Sequence, residues 1–245
     1  MSGAGLKTDF VQSYKEHLAD LLRSSATERQ ALEQAVGGEF VALGLLELAC
    51  LQHYGLEPDH YLIDVGCGSG RLAKPLTQYL GGRYLGTDVV PELLSFAKKL
   101  CGRPDWRFEK VTEIEIPEHD SRADMVCFFS VLTHLLHEDS YLYLSEAKRV
   151  LRPGGRIVFS FVEFALEYHW HIFEGNLRNA HKHLNQFIGR DAIQAWARHL
   201  GLRVEGIHDG DKPHFPVPFP IQMENGTLIQ DRGTIGQSVC VLVKD

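Results

Sequence analysis

The spacing of apolar positions changes character along the chain. Over residues 8–25, Phe10, Val11, Tyr14, Leu18, Leu21 and Leu22 recur at helical intervals, which predicts an amphipathic helix that Thr8 or Asp9 can cap. Gly37-Gly38 breaks the pattern. The run FVALGLLELACLQHY (40–54) is apolar on most of its surface and predicts a buried helix, ended by Gly55 and Pro58. From residue 61 short apolar runs alternate with helical ones. YLIDV (61–65), RYLGTDV (83–89), WRFEKV (106–111), ADMVCFFS (123–130) and RIVFSFV (156–162) read as strands. Between them RLAKPLTQYL (71–80), PELLSFAKKL (91–100) and VLTHLLHEDSYLYLSEAKRVL (131–151) read as helices, with Pro75 expected to bend the first and Pro91 to start the second. Alternation of this kind implies an α/β fold with a parallel sheet and right-handed crossovers. Further on, DAIQAWARHLGL (191–202) reads as helix, and LRVEGIHD (202–209) and SVCVLVKD (238–245) as strands. Residues 163–189 are rich in aromatics and histidine without a clear period, which marks an insertion. KPHFPVPFP (212–220), with four prolines, predicts a rigid surface loop.

Bulk properties narrow the classes. A chain of 245 residues suits one large α/β domain with decoration, long enough to bury a core without covalent staples. The net charge is −7 and no Lys/Arg-rich run occurs, so nucleic acid is not the expected partner. Five cysteines, an odd number with no Cys-x-x-Cys, predict reduced thiols and a cytoplasmic protein. The start, MSGAGLKTDFVQSYKEH, lacks the apolar core of a signal peptide, and the run FVALGLLELACL is too short to span a bilayer.

The first candidate chemistry lies where strand 61–65 runs into Asp64-Val-Gly-Cys-Gly-Ser-Gly70. Gly66, Gly68 and Gly70 allow a sharp turn and a close backbone approach to a ligand. A dinucleotide fingerprint would be G-x-G-x-x-G; here the third glycine comes one place early and Arg71 occupies the position such a site keeps small. An acid at the strand's end, Asp64, suits a ligand with an ammonium or sulfonium charge better than one with phosphates. Asp88, at the end of the next strand, stands where a carboxylate accepts two hydrogen bonds from a ribose diol.

With these residues the sequence resembles a class I S-adenosylmethionine-dependent methyltransferase of the bacterial small-molecule type. YLIDVGCGSGR (61–71) matches the first motif and YLGTDVV (84–90) the acidic second; ADMVCFFSVLTHL (123–135) matches the fourth-strand motif and LYLSEAKRVLRPGGRIVFS (142–160) the approach to strand five. The resemblance implies a Rossmann-like seven-stranded sheet, mostly parallel with an antiparallel last strand. To this are added an N-terminal helical cap (1–54), the S-adenosylmethionine-binding domain (55–245) and an acceptor lid (163–190). It implies that Gly66, Cys67, Gly68 and Gly70 run under the methionine moiety with Asp64 near its amino group, and that Arg71 reaches its carboxylate. Asp88 would hold the ribose hydroxyls and Val89 pack on adenine. The acid that often meets the adenine amino group is replaced by Thr112, so Thr112, the Val111 backbone or Glu113 would take that role. Phe129 and Ser130 would line the sulfur and the reacting methyl.

On the acceptor side, a hydroxyl that receives a methyl group has a proton to lose, and histidine suits that work at neutral pH. His134, just after the fourth strand, is the first candidate base. The others come from EYHWHIFEGNLRNAHKH (167–183), with the pairs His169/His171 and His181/His183. Side chains two places apart on a helix diverge by about 200° and cannot chelate one ion, so no metal site is expected. The expected function is O-methylation of a small molecule, with no membrane partner. The alternatives are a non-catalytic S-adenosylmethionine-binding partner or sensor protein, or a dinucleotide-dependent dehydrogenase.

Overall fold

Seven of the runs read as strands assemble into one sheet. The computed structural model describes residue 16 and residues 18–177 and 185–245. Strands β1 (Leu62–Val65), β2 (Tyr84–Asp88), β3 (Arg107–Lys110), β4 (Ala123–Phe128), β5 (Leu151–Phe161), β6 (Arg203–His208) and β11 (Ser238–Val243) lie in the order β3-β2-β1-β4-β5-β11-β6. The pairs from β3 across to β5 are parallel; β11 inserts antiparallel between β5 and β6. All residues of β1 and β2 are buried, because helices cover both faces of a parallel sheet. The short strands β7 (Phe215–Pro216), β8 (Ile221–Gln222), β9 (Leu228–Ile229) and β10 (Arg232–Gly233) form two small antiparallel pairs within the 209–237 segment.

Helices α1 (Glu28–Gln34), α2 (Phe40–His53), α3 (Ala73–Leu76), α4 (Pro91–Cys101), α5 (His137–Val150), α6 (Glu167–Leu177) and α7 (Arg190–Leu200) surround this sheet. Tyr143, Leu144 and Ala147 of α5 and Ile193, Ala197 and Leu200 of α7 pack with Ile63, Val126, Phe128 and Phe159 on one face. Leu46, Ala49, Cys50 and Leu51 of α2 and Leu76 of α3 pack with Leu62, Cys127, Val158 and Val241 on the other.

The elements differ from the pattern reading in several places. The helix expected over 71–80 is only Ala73–Leu76. Pro75 sits in its first turn, where its missing N–H costs nothing, and Thr77 Oγ1 donates to the Lys74 carbonyl at 2.7 Å. The 131–151 helix is split into a 3₁₀ turn, Leu132–His134, and α5. Leu135 and Leu136 between them are extended, and Glu138 and Asp139 supply the negative first turn of the new helix. α6 lies inside the segment read as aperiodic. Its one buried residue is His169, so no apolar stripe announces it. α1 is a short helix capped by the Thr27 hydroxyl, which accepts from the Gln30 N–H at 3.1 Å. Of the helix expected over 8–25, residues 18–24 are helical; Tyr14 lies outside the described residues, as do His181 and His183.

Candidate cofactor and acceptor site

β1 and β4 are neighbours although two other strands separate them in sequence, so the crossovers diverge at the carboxyl end of β1 and leave a crevice there. Gly66, Gly68 and Gly70 stand at that point with φ of 72°, 53° and 91°, in the left-handed region. Space demands glycine as strictly as the backbone does. A Cβ on Gly66 would lie 2.4 Å from Val131 Cγ2, and one on Gly68 2.5 Å from Val36 Cγ1. The loop is thus pressed between the segment after β4 and the segment after α1.

Asp88 closes the far side. Its Oδ2 accepts from the Gly68 N–H at 3.0 Å and its Oδ1 from the Val90 N–H at 2.9 Å. Burial pushes its carboxyl up to about 6, against these backbone donors. Each oxygen keeps a lone pair for a ligand hydroxyl. Val89 is half-buried and packs beside Val90 and Leu93, against Leu18, Leu32 and Ala35 of the N-terminal helices. The Val111 N–H donates to the Asp88 carbonyl at 3.0 Å, which ties β3 to this corner; Val111 is buried, and Thr112 is exposed at the rim.

Asp64 lies beneath the loop. It accepts from the Tyr84 hydroxyl at 2.8 Å and from the Cys127 thiol at 3.5 Å. Burial is the main cause that pushes its carboxyl up to about 7; Tyr84 opposes and Glu47 adds to it. The thiols of Cys67 and Cys127, buried beside Asp64, are pushed far upward and stay protonated.

Arg71 was expected to reach a ligand carboxylate. Its guanidinium instead pairs with Glu47 of α2 at 2.5 Å and donates to the Val36 carbonyl. Both side chains are buried, at 10% and 4% exposure. A buried acid needs such a cation, and Glu47, the lone charge inside FVALGLLELACL, was the sequence signal for the pair. Arg71 thereby fastens α2 and the 35–39 bend to the glycine loop. In that bend Gly37, Gly38 and Glu39 have φ of 94°, 72° and 46° in succession.

Past β4, Phe129 turns into the core with Leu46, Met125 and Phe215, and Ser130 stands at the crevice, half-buried, with φ 59°. Of the candidate bases, His134 follows on the 3₁₀ turn, half-buried. His169 is fully buried. Its Nδ1 accepts from the Glu163 N–H at 3.1 Å and its Nε2–H donates to the Gly236 carbonyl at 3.2 Å, so both ring nitrogens are spent within the protein. His171 points outward, 71% exposed, with Glu174 3.6 Å away. Glu163, also buried, receives Arg190 in a two-pronged pair at 2.7 and 2.8 Å and the Ser238 hydroxyl at 2.6 Å. Glu163, Arg190 and Ser238 carry no sequence pattern that singles them out; the fold alone joins them across the sheet edge. Among the described residues the one group of three metal-capable side chains, Glu57, Asp59 and His60, lies near the start of β1, away from this edge.

The cradle fits an adenosine that ends in a charged amino acid. Three glycines give the close approach, and the buried carboxyl of Asp88 stands at the end of the next strand beside them. Residues 63–159 match the family described as methyltransferase domain. The chain is 30% identical over 170 residues to the malonyl-[acyl-carrier protein] O-methyltransferase of Hahella chejuensis, covering 64% of this chain and 55% of that protein. It is 27% identical over 161 residues to the ubiquinone biosynthesis O-methyltransferase of Xylella fastidiosa strain M23, covering 60% and 62%. The chain therefore spans less than two thirds of the length of these curated relatives. The magnesium protoporphyrin IX methyltransferase of Synechocystis PCC 6803, solved with bound S-adenosylhomocysteine, superposes with a TM-score of 0.62 at 16% identity, over 96% of both chains. Fold and cradle define a nucleoside-binding α/β domain. Residues 63–159 are thus similar to a methyltransferase domain, and the fold is the one seen in S-adenosylmethionine-dependent methyltransferases of known structure, whose cofactor the cradle fits.

Proposed function

We propose that the protein transfers a methyl group from S-adenosylmethionine to a hydroxyl of a small-molecule acceptor, leaving S-adenosylhomocysteine. The observation that carries this is Asp88, gripped by the Gly68 and Val90 amides. It supports a ribose-binding role next to a loop whose glycines admit no side chain. The O-methyltransferase names of two relatives favour an oxygen acceptor over a nitrogen one. When bound, the cofactor supplies an activated methyl carbon on a sulfonium. The chain's own work is to bind, orient and exclude water. Asp88, Val89, Val111 and Thr112 frame the nucleoside; Gly66, Cys67, Gly68 and Gly70 give the floor; Asp64 lies beneath that floor as an acceptor near the amino group. Phe129 backs the crevice from the core, and Ser130 borders it.

For the acceptor's proton we assign His134 as base. It lies four residues past Ser130, half-buried on the 3₁₀ turn Leu132–His134, while His169 is fully buried and His171 faces solvent. The 163–190 segment, whose His169 joins the carboxyl end of β5 to the entry of β11, acts as the acceptor lid, and residues 1–54 act as the cap. Among the described residues no helix is long and apolar enough to cross a membrane. A cytoplasmic enzyme acting on a dissolved acceptor accords with that.

The test is a ligand-dependent melting measurement. S-adenosylhomocysteine at 100 times its Kd raises stability by about 2.7 kcal/mol, a readable rise in Tm, and NAD gives none. Stabilisation by NAD with no response to S-adenosylhomocysteine overturns the assignment in favour of a dehydrogenase.

A further inference from the structure

Ser130 is a non-glycine residue in the left-handed region, a strained conformation that persists only where its surroundings enforce it. The enforcement is visible. The Ser130 N–H donates to Ser160 Oγ at 2.7 Å; the Ser160 hydroxyl donates to Gln237 Oε1 at 2.7 Å; Gln237 Nε2 donates to Ser130 Oγ at 3.1 Å. The three residues close a ring across β4, β5 and the entry to β11. The Thr133 hydroxyl holds the Ser130 carbonyl from the far side at 3.2 Å.

The ring fixes its own proton directions. Ser160 is fully buried and its O–H has no other partner among the described residues, so Gln237 turns its carbonyl oxygen toward it. The carboxamide N–H₂ then faces Ser130. Ser130 Oγ is an acceptor within the ring, and its own O–H remains uncommitted on a half-buried residue at the crevice. β4 is one strand from the glycine loop and two from Asp88, about 10 Å across the sheet at ordinary strand spacing. Val131, the next residue, touches Gly66. An elongated ligand held by its ribose at Asp88 and lying over the loop has its other end here. Arg71, the cation nearest the loop in sequence, is anchored through Nη2 to Glu47 and through Nη1 to the Val36 carbonyl, and its buried Nε–H has no partner among the described residues.

We propose that Gln237 and Ser160 are positioning residues for the amino-acid end of the cofactor: they hold Ser130 in its left-handed turn so that its hydroxyl donates to the methionine carboxylate. This rests on the S-adenosylmethionine reading above. Ser130→Gly and Gln237→Leu are the informative variants. Glycine adopts this φ without strain, so Ser130→Gly removes the hydroxyl and keeps the turn.

Calorimetric titration of the full chain with two probes reads the result. S-adenosylhomocysteine carries the amino-acid end; 5′-methylthioadenosine lacks it. Both variants weaken S-adenosylhomocysteine about tenfold and change 5′-methylthioadenosine by less than about twofold, as expected for one charge-assisted hydrogen bond. Ser160→Thr, which keeps a hydroxyl, retains most of the wild-type affinity, and Ser160→Ala does not. Equal weakening of both probes means the ring serves only the fold and overturns the proposal, as does unchanged affinity for both. A wild-type chain that binds neither probe removes the cofactor reading, and the proposal with it.

Discussion

Asp64 is a carboxyl group with no cation hydrogen-bonded to it, 3% exposed, under a loop that belongs to the ligand. Its partners are a tyrosine hydroxyl and a thiol, which lighten the cost of burial without cancelling it. Because its folded-state value is raised from 3.8 to about 7, the folded chain keeps a proton that the unfolded chain releases between those values. Its contribution is fully present below pH about 3.8 and is lost as pH rises through 7. Asparagine keeps the shape and mimics the protonated acid. Asp64→Asn therefore gains stability relative to wild type as pH rises from about 4 to 8, by up to about 4 kcal/mol, in the absence of cofactor. Urea unfolding at a series of pH values checks this; a difference that does not change with pH would mean that Asp64 is ionised throughout. The sequence showed Asp64, Asp88 and the glycines because their chemistry is local: a strand end, a turn, a carboxylate. It did not show Ser160, Gln237 or Val36, whose roles exist only through contacts between segments far apart in the chain.

At the scale of the element, α6 shows why a histidine-rich stretch misleads. His169 and His171 are two places apart on a helix and so face opposite ways, one into the protein and one into solvent. The inward ring clasps the end of β5 to the entry of β11, through the Glu163 amide and the Gly236 carbonyl. His169→Ala leaves both backbone groups unpaired and opens a cavity, so it costs about 2–4 kcal/mol and roughly 4–16 °C in Tm for a domain of this size. His171→Ala changes Tm by less than about 1 °C. Differential scanning calorimetry of the two variants separates them, and equal melting would refute the clasp. The sheet's strands were legible because alternation of short apolar runs with helical ones is a strong signal. α6 was not, since its outer face carries Tyr168 at 56% and Trp170 at 39% exposure, against the usual placing of apolar residues. The split before α5 was also hidden, because Leu135 and Leu136 continue the apolar spacing that their extended backbone interrupts.

For the whole molecule, the sheet places every proposed contact along one edge, and the segment before α2 is drawn against that edge from outside. Val36 touches Gly68 and its carbonyl receives Arg71, while Leu18, Leu32 and Ala35 cover Val90 and Leu93. Trimming the Val36 side chain loosens this contact without touching Asp88 or the ring at Ser130. Val36→Ala accordingly raises the association rate of S-adenosylhomocysteine several-fold in stopped-flow mixing, with a smaller change in dissociation. An unaltered association rate would show that this residue does not stand in the way of entry. The three successive left-handed residues Gly37, Gly38 and Glu39 then acquire a thermodynamic meaning. A raised rate would make them a joint at which the chain swings, and the fraction of molecules standing open would then multiply the intrinsic affinity of the loop. Measured cofactor affinity is in that case partly a property of a joint that makes no contact with the cofactor, and substitutions there retune binding by changing a population.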